Sequence, residues 1–249
     1  MAPRSAPCAM PTRGGGSPGI SATGRLRIVE AGARPHPPCE LYRAYLAVAA
    51  DRPAAPLPVP PTPLIGREDE IAEVTALLRD LEVRLVTLIG PGGIGKTRLA
   101  IEVARRMLGA SGQAGLDGAS FIDLAGVRDA AQWPDAVTAA LGLRPEGTRP
   151  VLDLLIDQVQ GRRLLLVLDN VEQLVAAAAD LGTLLAACPD LTVLVTSRIV
   201  PRLRGEHEVP LAPLPTPGEG PGADASAVGQ SAAVRLLVAR AGRCARISP

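Results

Sequence analysis

Aromatic side chains are almost missing. One Trp, two Tyr and one Phe make up 2% of 249 residues, although 47% of the chain is hydrophobic. A core must therefore be built from Leu, Val, Ile and Ala, which suits helices packed on a buried parallel sheet of aliphatic strands. An excess of charge is also lacking. The formal net charge is +1 and no stretch is strongly basic, so direct contact with nucleic acid is not expected. Cys8, Cys39, Cys188 and Cys244 stand far apart with no C-x-x-C pair, and the only histidines are His36 and His207. Such spacing argues against a zinc site or a disulfide framework, and free thiols in a reducing compartment are expected. Long apolar runs are absent as well: runs such as 164–168 and 174–179 fall far short of the ~20 residues of a spanning helix. Prolines and glycines break the N-terminal region too often for an amphipathic targeting helix, and it has no secretory apolar stretch. The expected location is cytoplasmic, without membrane contact.

Lysine is the scarcest charged residue. Of 26 Lys and Arg residues only Lys96 is a lysine, and it ends the run Gly90-Pro91-Gly92-Gly93-Ile94-Gly95-Lys96 before Thr97. Most surface positions accept either cation. A ring of backbone amides around phosphates does not, because a thin ammonium stem enters it and a planar guanidinium is too wide. The spacing G-x-x-x-x-G-K-[ST] is the Walker A pattern of nucleoside-triphosphate binding. In that reading the amides of Gly92 through Thr97 cradle phosphate, Lys96 reaches the β- and γ-phosphates, and the Thr97 hydroxyl is a Mg²⁺ ligand. Gly90, Gly92 and Gly95 also spell G-x-G-x-x-G, with Asp123 placed as a ribose-binding acid. That dinucleotide alternative predicts small or apolar residues after the third glycine, whereas Lys96 and Thr97 stand there.

Proline marks the organisation. Thirteen of 25 prolines precede Leu64 and five lie between Leu64 and Val200. Residues 1–63 are expected to be a mostly disordered tail and linker, with one short helix at 40–50. Residues 64–212 are expected to form the core. Residues 213–249 are expected to form a loose stretch to 230 and a terminal helix at 231–242. Within the core, short aliphatic runs predict strands at 84–89, 119–124, 163–168, 191–196 and 206–210. Apolar residues at three- and four-residue steps predict helices at 68–81, 96–109, 131–141, 151–160 and 171–188. This alternation implies an α/β fold with a parallel sheet covered on both faces.

Two strand ends carry chemistry. Leu164 to Leu168 lead into Asp169, Asn170 and nearby Glu172. A buried strand tipped by Asp169 is what a phosphate-binding protein needs to anchor Mg²⁺ beside Thr97. An ordinary strand end with a helix cap is the bland alternative. Thr192 to Arg198 form a second such run. Ligands in open α/β sheets sit beyond the carboxyl ends of the strands, which places Arg198 to sense a γ-phosphate, with Thr196 and Ser197 near the attacking water.

Together LIGRE at 64–68, GPGGIGKTRLA at 90–100, LLLVLDNVEQL at 164–174 and TVLVTSR at 192–198 resemble the STAND class of P-loop ATPases, which contains the NB-ARC modules. GEHEVPLAPL at 205–214 and AVRLLVARA at 233–241 extend the likeness, which is nearest to the ATPase module of bacterial SARP- and LuxR-related transcriptional regulators. The resemblance implies a three-layer sandwich with sheet order 5-1-4-3-2. It also implies ATP and ADP as alternating ligands, Mg²⁺, and a role as a regulatory switch in signal transduction. It adds Ile65 and Arg67 at the adenine and ribose end, Arg98 beside the loop, and Arg198 as the sensor arginine. Further protein domains, or other copies through the ATPase module, are the implied partners. Two departures from the family stand out. Asn170 occupies the place of a second acid, leaving Glu172 as the nearest carboxylate, and the modules that follow in the family are not in this chain, as in a fragment or truncated product. Slow or absent hydrolysis is therefore expected. A small-molecule kinase using Arg202 and Arg204, or a nucleotide-independent interaction module, are the rival readings.

Overall fold

The computed structural model describes residues 57–109, 115–143, 149–172, 178–217 and 225–244. The expected helix at 40–50, and the expected tail up to residue 56, lie outside the described residues. Helix α1 spans Glu68–Arg79, followed by β1 Leu85–Ile89, α2 Lys96–Gly109 and β2 Gly118–Asp123. A short 3-10 turn at Ala130–Gln132 leads into α3 Trp133–Ala140, then come α4 Val151–Val159, β3 Leu164–Asp169 and α5 Ala178–Ala187. Strands β4 Thr192–Ser197 and β5 Glu206–Pro210 complete the core, and α6 Ala225–Gln230 and α7 Ala232–Cys244 follow.

All strand pairs are parallel, and the order across the sheet is β2-β3-β4-β1-β5. This is the expected order 5-1-4-3-2, read from the other edge. Alternation sends successive side chains to opposite faces. Leu164, Leu166 and Leu168 of β3 join Val193 and Val195 of β4 in a core with Trp133, Val137, Leu155, Val159, Leu184 and Leu185. Leu165, Val167, Leu194, Val86 and Leu88 face the other way, against Ile71, Val74 and Leu78 of α1 and Leu99, Ala100, Val103, Ala104 and Met107 of α2. Burial on both faces explains why these strands read as unbroken aliphatic runs. Each such Leu or Val contributes about 1.5–3 kcal/mol by leaving water.

The differences from expectation are local. The expected helix at 171–188 is described as a 3-10 turn at 171–172 and as α5 from Ala178. The stretch 213–230, expected to be loose, ends in α6. Its prolines and most of its glycines fall before residue 223, while 223–230 holds three alanines, the best helix formers. No described helix is long and apolar enough to cross a membrane.

Candidate functional site

The site lies at the carboxyl ends of β1, β3 and β4, which are neighbours in the middle of the sheet. The glycine loop leaves β1 at Gly90, whose N–H donates to the Ser197 carbonyl at the end of β4 (3.3 Å). Gly93 and Gly95 have φ of +77° and +105°, conformations that a side chain would strain. They let the chain curl into the first turn of α2. Lys96 is only 8% exposed, and its Nζ donates to the carbonyls of Gly90 (2.7 Å) and Pro91 (3.0 Å), closing the ring of the loop.

The first turns of the two helices on this face differ in charge. Helix α1 opens with Glu68, Asp69 and Glu70, which complement its positive dipole end. Helix α2 has no acid in its first turn and starts instead with Lys96 and Arg98. An anion held by the loop would balance that concentration of positive charge.

Opposite Lys96 stands a carboxylate. Asp169 is 4% exposed at the tip of β3. The Thr97 hydroxyl lies 2.8 and 3.0 Å from its two oxygens, and the Thr196 hydroxyl donates to one of them. Asn170 has a positive φ of 63°, a conformation that Asn tolerates better than most residues. Its Nδ2 reaches both Asp169 (3.1 Å) and Asp123 (3.2 Å), bridging two carboxylates that β2 and β3 align in register.

These groups do not titrate normally. Burial pushes the Asp169 carboxyl above the ordinary aspartate value; the Thr196 and Thr97 hydroxyls oppose the shift, and the charges of Asp123 and Glu172 add to it. Burial also lowers the Lys96 ammonium below the usual lysine value, Arg198 adds to that, and Glu172 and Asp169 counter it. Opposed shifts of a carboxylate and an ammonium beside one loop make it a candidate functional site. A hard divalent cation between Thr97 and Asp169 would relieve the crowded carboxylates, and the oxygen donor set suits Mg²⁺. No described cluster of three or more His, Cys, Asp or Glu could hold a metal by itself. Mg²⁺ commonly needs only one or two carboxylates when phosphates and water supply the rest.

Arg198 stands beside the loop. A Cβ built on Gly92 would lie 3.7 Å from its guanidinium carbon, and its Nε pairs with Glu172 at 3.2 Å. The side chain is 64% exposed. The structure thus brings together the glycine loop, Lys96, Thr97, Asp169, Glu172 and Arg198. Thr196, besides donating to Asp169, accepts the Asn170 N–H (3.2 Å) and so braces the strand tips.

Two predicted site arginines are engaged by groups of the protein itself. The Arg98 guanidinium donates to the Thr62 hydroxyl (2.8 Å), the Thr62 carbonyl and the Pro63 carbonyl (3.2 Å), clamping the preceding segment to α2. Arg67 is buried and donates to Glu70 and to the carbonyls of Ile94 and Ala212. Ile65 is half-buried, and Ile94 packs its side chain against the core of α1 and α2. Asp123 and Asn170 form part of the carboxylate cluster, which sequence reasoning did not assemble. The usable signal was that two neighbouring strands both end in aspartate.

Comparison with known proteins follows the same lines. A putative HTH-type transcriptional regulator of Mycobacterium tuberculosis is 44% identical over 124 residues, 49% of this chain and 13% of that protein. An uncharacterized protein of the same organism is 38% identical over 154 residues, 61% of this chain and 38% of that one. The regulatory protein AfsR of Streptomyces coelicolor is 31% identical over 185 residues, 68% of this chain and 18% of that protein. The matched stretch therefore spans well under half the length of these relatives. Among solved structures, the Aeropyrum pernix ORC1 protein, determined in complex with DNA, superposes with a TM-score of 0.50. It is 21% identical, over 68% of this chain and 49% of that one, a likeness of fold alone. Residues 63–196, more than half of the chain, match the family described as AAA ATPase domain. With the parallel sheet and the glycine loop at its centre, that match means the chain belongs to the AAA ATPase domain family.

Proposed function

We propose that this chain is a nucleotide-operated switch module of the STAND class, similar to NB-ARC modules, which binds ATP and ADP with Mg²⁺ at the 90–97 loop. The observation that carries the reading is the pairing of a loop closed by Lys96 with the Thr97–Asp169 contact beside it. Lys96 would leave the Gly90 and Pro91 carbonyls for the phosphates, Gly92 through Thr97 would supply amide donors, and Thr97 and Asp169 would hold the metal. Bound Mg²⁺ supplies charge neutralisation at the phosphates. Arg198, already against Gly92, would stabilise charge on the outermost phosphate. Regulators among the relatives support a role in transcriptional signalling, with the module acting on other domains or on further copies.

Calorimetric titration with ADP and MgATP tests the reading. Lys96→Arg keeps the charge and is expected to lose affinity nearly as far as Lys96→Ala, on the order of 100-fold or about 2.7 kcal/mol. Wild-type affinity in Lys96→Arg would sink the phosphate role of the lysine.

Hydrolysis is expected to be slow. By the family resemblance Asn170 takes the place of a second acid that would help orient water, and Glu172 is paired with Arg198. Steady turnover by the purified chain should stay below about 1 s⁻¹, under the ~10 s⁻¹ of a median enzyme. Faster turnover that Lys96→Ala abolishes would show that a competent base is present.

A further inference from the structure

Arg67 directly follows the turn at Gly66, in the segment whose family resemblance points to the base. Its guanidinium is committed elsewhere. Nη2 carries two hydrogens, and the structure uses both: one toward the Ile94 carbonyl inside the glycine loop (3.2 Å), one toward the Ala212 carbonyl just after β5 (2.8 Å). Nη1 is held by Glu70, one turn along α1. With 4% exposure, the side chain lies inside the protein. A planar fork with fixed donor angles suits this task, since it holds two carbonyls and a carboxylate at once.

The segment after β5 that Arg67 grips has its own contacts with the loop and with the C-terminal helices. The Leu211 N–H donates to the Ile89 carbonyl (2.7 Å), and a Cβ on Gly90 would come within 3.0 Å of the Leu211 carbonyl. Further along, the Ser231 hydroxyl donates to the Pro215 carbonyl (2.8 Å), fixing the start of α7. The Gly66 turn meets α7 directly: with φ of +68°, Gly66 leaves room that a Cβ would take up at 2.3 Å from the Ala232 Cβ.

We infer that Arg67 is a positioning residue of the phosphate loop and does not read the base. It sets the Ile94 carbonyl, and with it the curl of the loop, while tying that curl to the 211–215 segment and α7. The inference rests on the loop being the phosphate site. Loop closure around phosphate then reaches α7 through Arg67 and Ala212, whichever base is attached.

The test uses the full chain and two ligands measured with Mg²⁺: ADP, and inorganic pyrophosphate, which has no base. Arg67→Lys offers one compact donor group in place of the fork. It is expected to weaken both ligands by the same factor, about tenfold. A loss for ADP with pyrophosphate unchanged would overturn the inference in favour of base reading. Unchanged affinity for both would also overturn it. If Arg67→Lys does not fold, the wild type still decides: ADP and pyrophosphate should each slow amide exchange in residues 232–241. Protection by ADP alone, or by neither bound ligand, would overturn the transmission through Arg67. A wild-type chain that binds neither ligand would instead sink the nucleotide reading itself.

Discussion

The two faces of the sheet are built from the same strands and carry different work. On the face of α3, α4 and α5 the buried residues are large: Trp133 and the leucines of α4 and α5 fill the space over β3 and β4. On the opposite face α2 brings Ala100 and Ala104, both fully buried, among Leu99, Val103 and Met107, and this helix follows the glycine loop directly. Small residues let a helix lie close to its strands, so the position of Lys96 and Thr97 depends on that contact. Both faces bury aliphatic side chains. Only the α2 face leads directly into the loop.

The contrast can be broken by perturbing each face separately. Leu166→Ala opens a cavity on the bulky face and is expected to destabilise the chain by about 2–5 kcal/mol in denaturant unfolding. ADP affinity of the remaining folded protein should not change. A fall of tenfold or more (~1.4 kcal/mol) would mean that both faces set the loop. Ala104→Leu inserts bulk under α2, with an expected cost of about 1–3 kcal/mol. Here ADP affinity should fall as well, by about tenfold, because the helix must move off the sheet. Unchanged affinity would separate loop geometry from helix packing. Asp169→Asn touches neither face and sharpens the comparison at the strand tips. ADP without metal should bind as before, while the gain from Mg²⁺, about tenfold or ~1.4 kcal/mol, should vanish because a neutral amide is a poor ligand for a hard cation. Equal retention with and without Mg²⁺ would remove Asp169 as metal anchor.

The aliphatic runs of β1, β3 and β4 made the strands readable within a residue or so, since burial on both faces leaves no polar alternation to misread. Strand order is a non-local property. Periodicity could not supply it, and it came from the resemblance carried by the four motifs. At the site, the glycine spacing and the lone lysine were sufficient for the loop, and the aspartate ending an apolar strand for its partner. Arg67 and Arg98 were harder. Arginine is usually a surface residue, and in a chain with 25 of them spacing alone does not mark those, such as Arg67, Arg84 and Arg98, whose guanidinium donates to a distant carbonyl. The bridge of Asn170 between Asp123 and Asp169 depends on strand register, which spacing along the chain does not reveal.

Trp133 has a consequence for observing the molecule. It is the only tryptophan in the chain, 1% exposed, and packed on the face away from α2, and its indole N–H meets no acceptor among the described residues. An indole in so apolar a setting emits at short wavelength and shifts to the red when water reaches it. The protein thus carries one optical reporter of its bulky face. Its emission is expected to follow loss of the fold, and to change little when ADP is added.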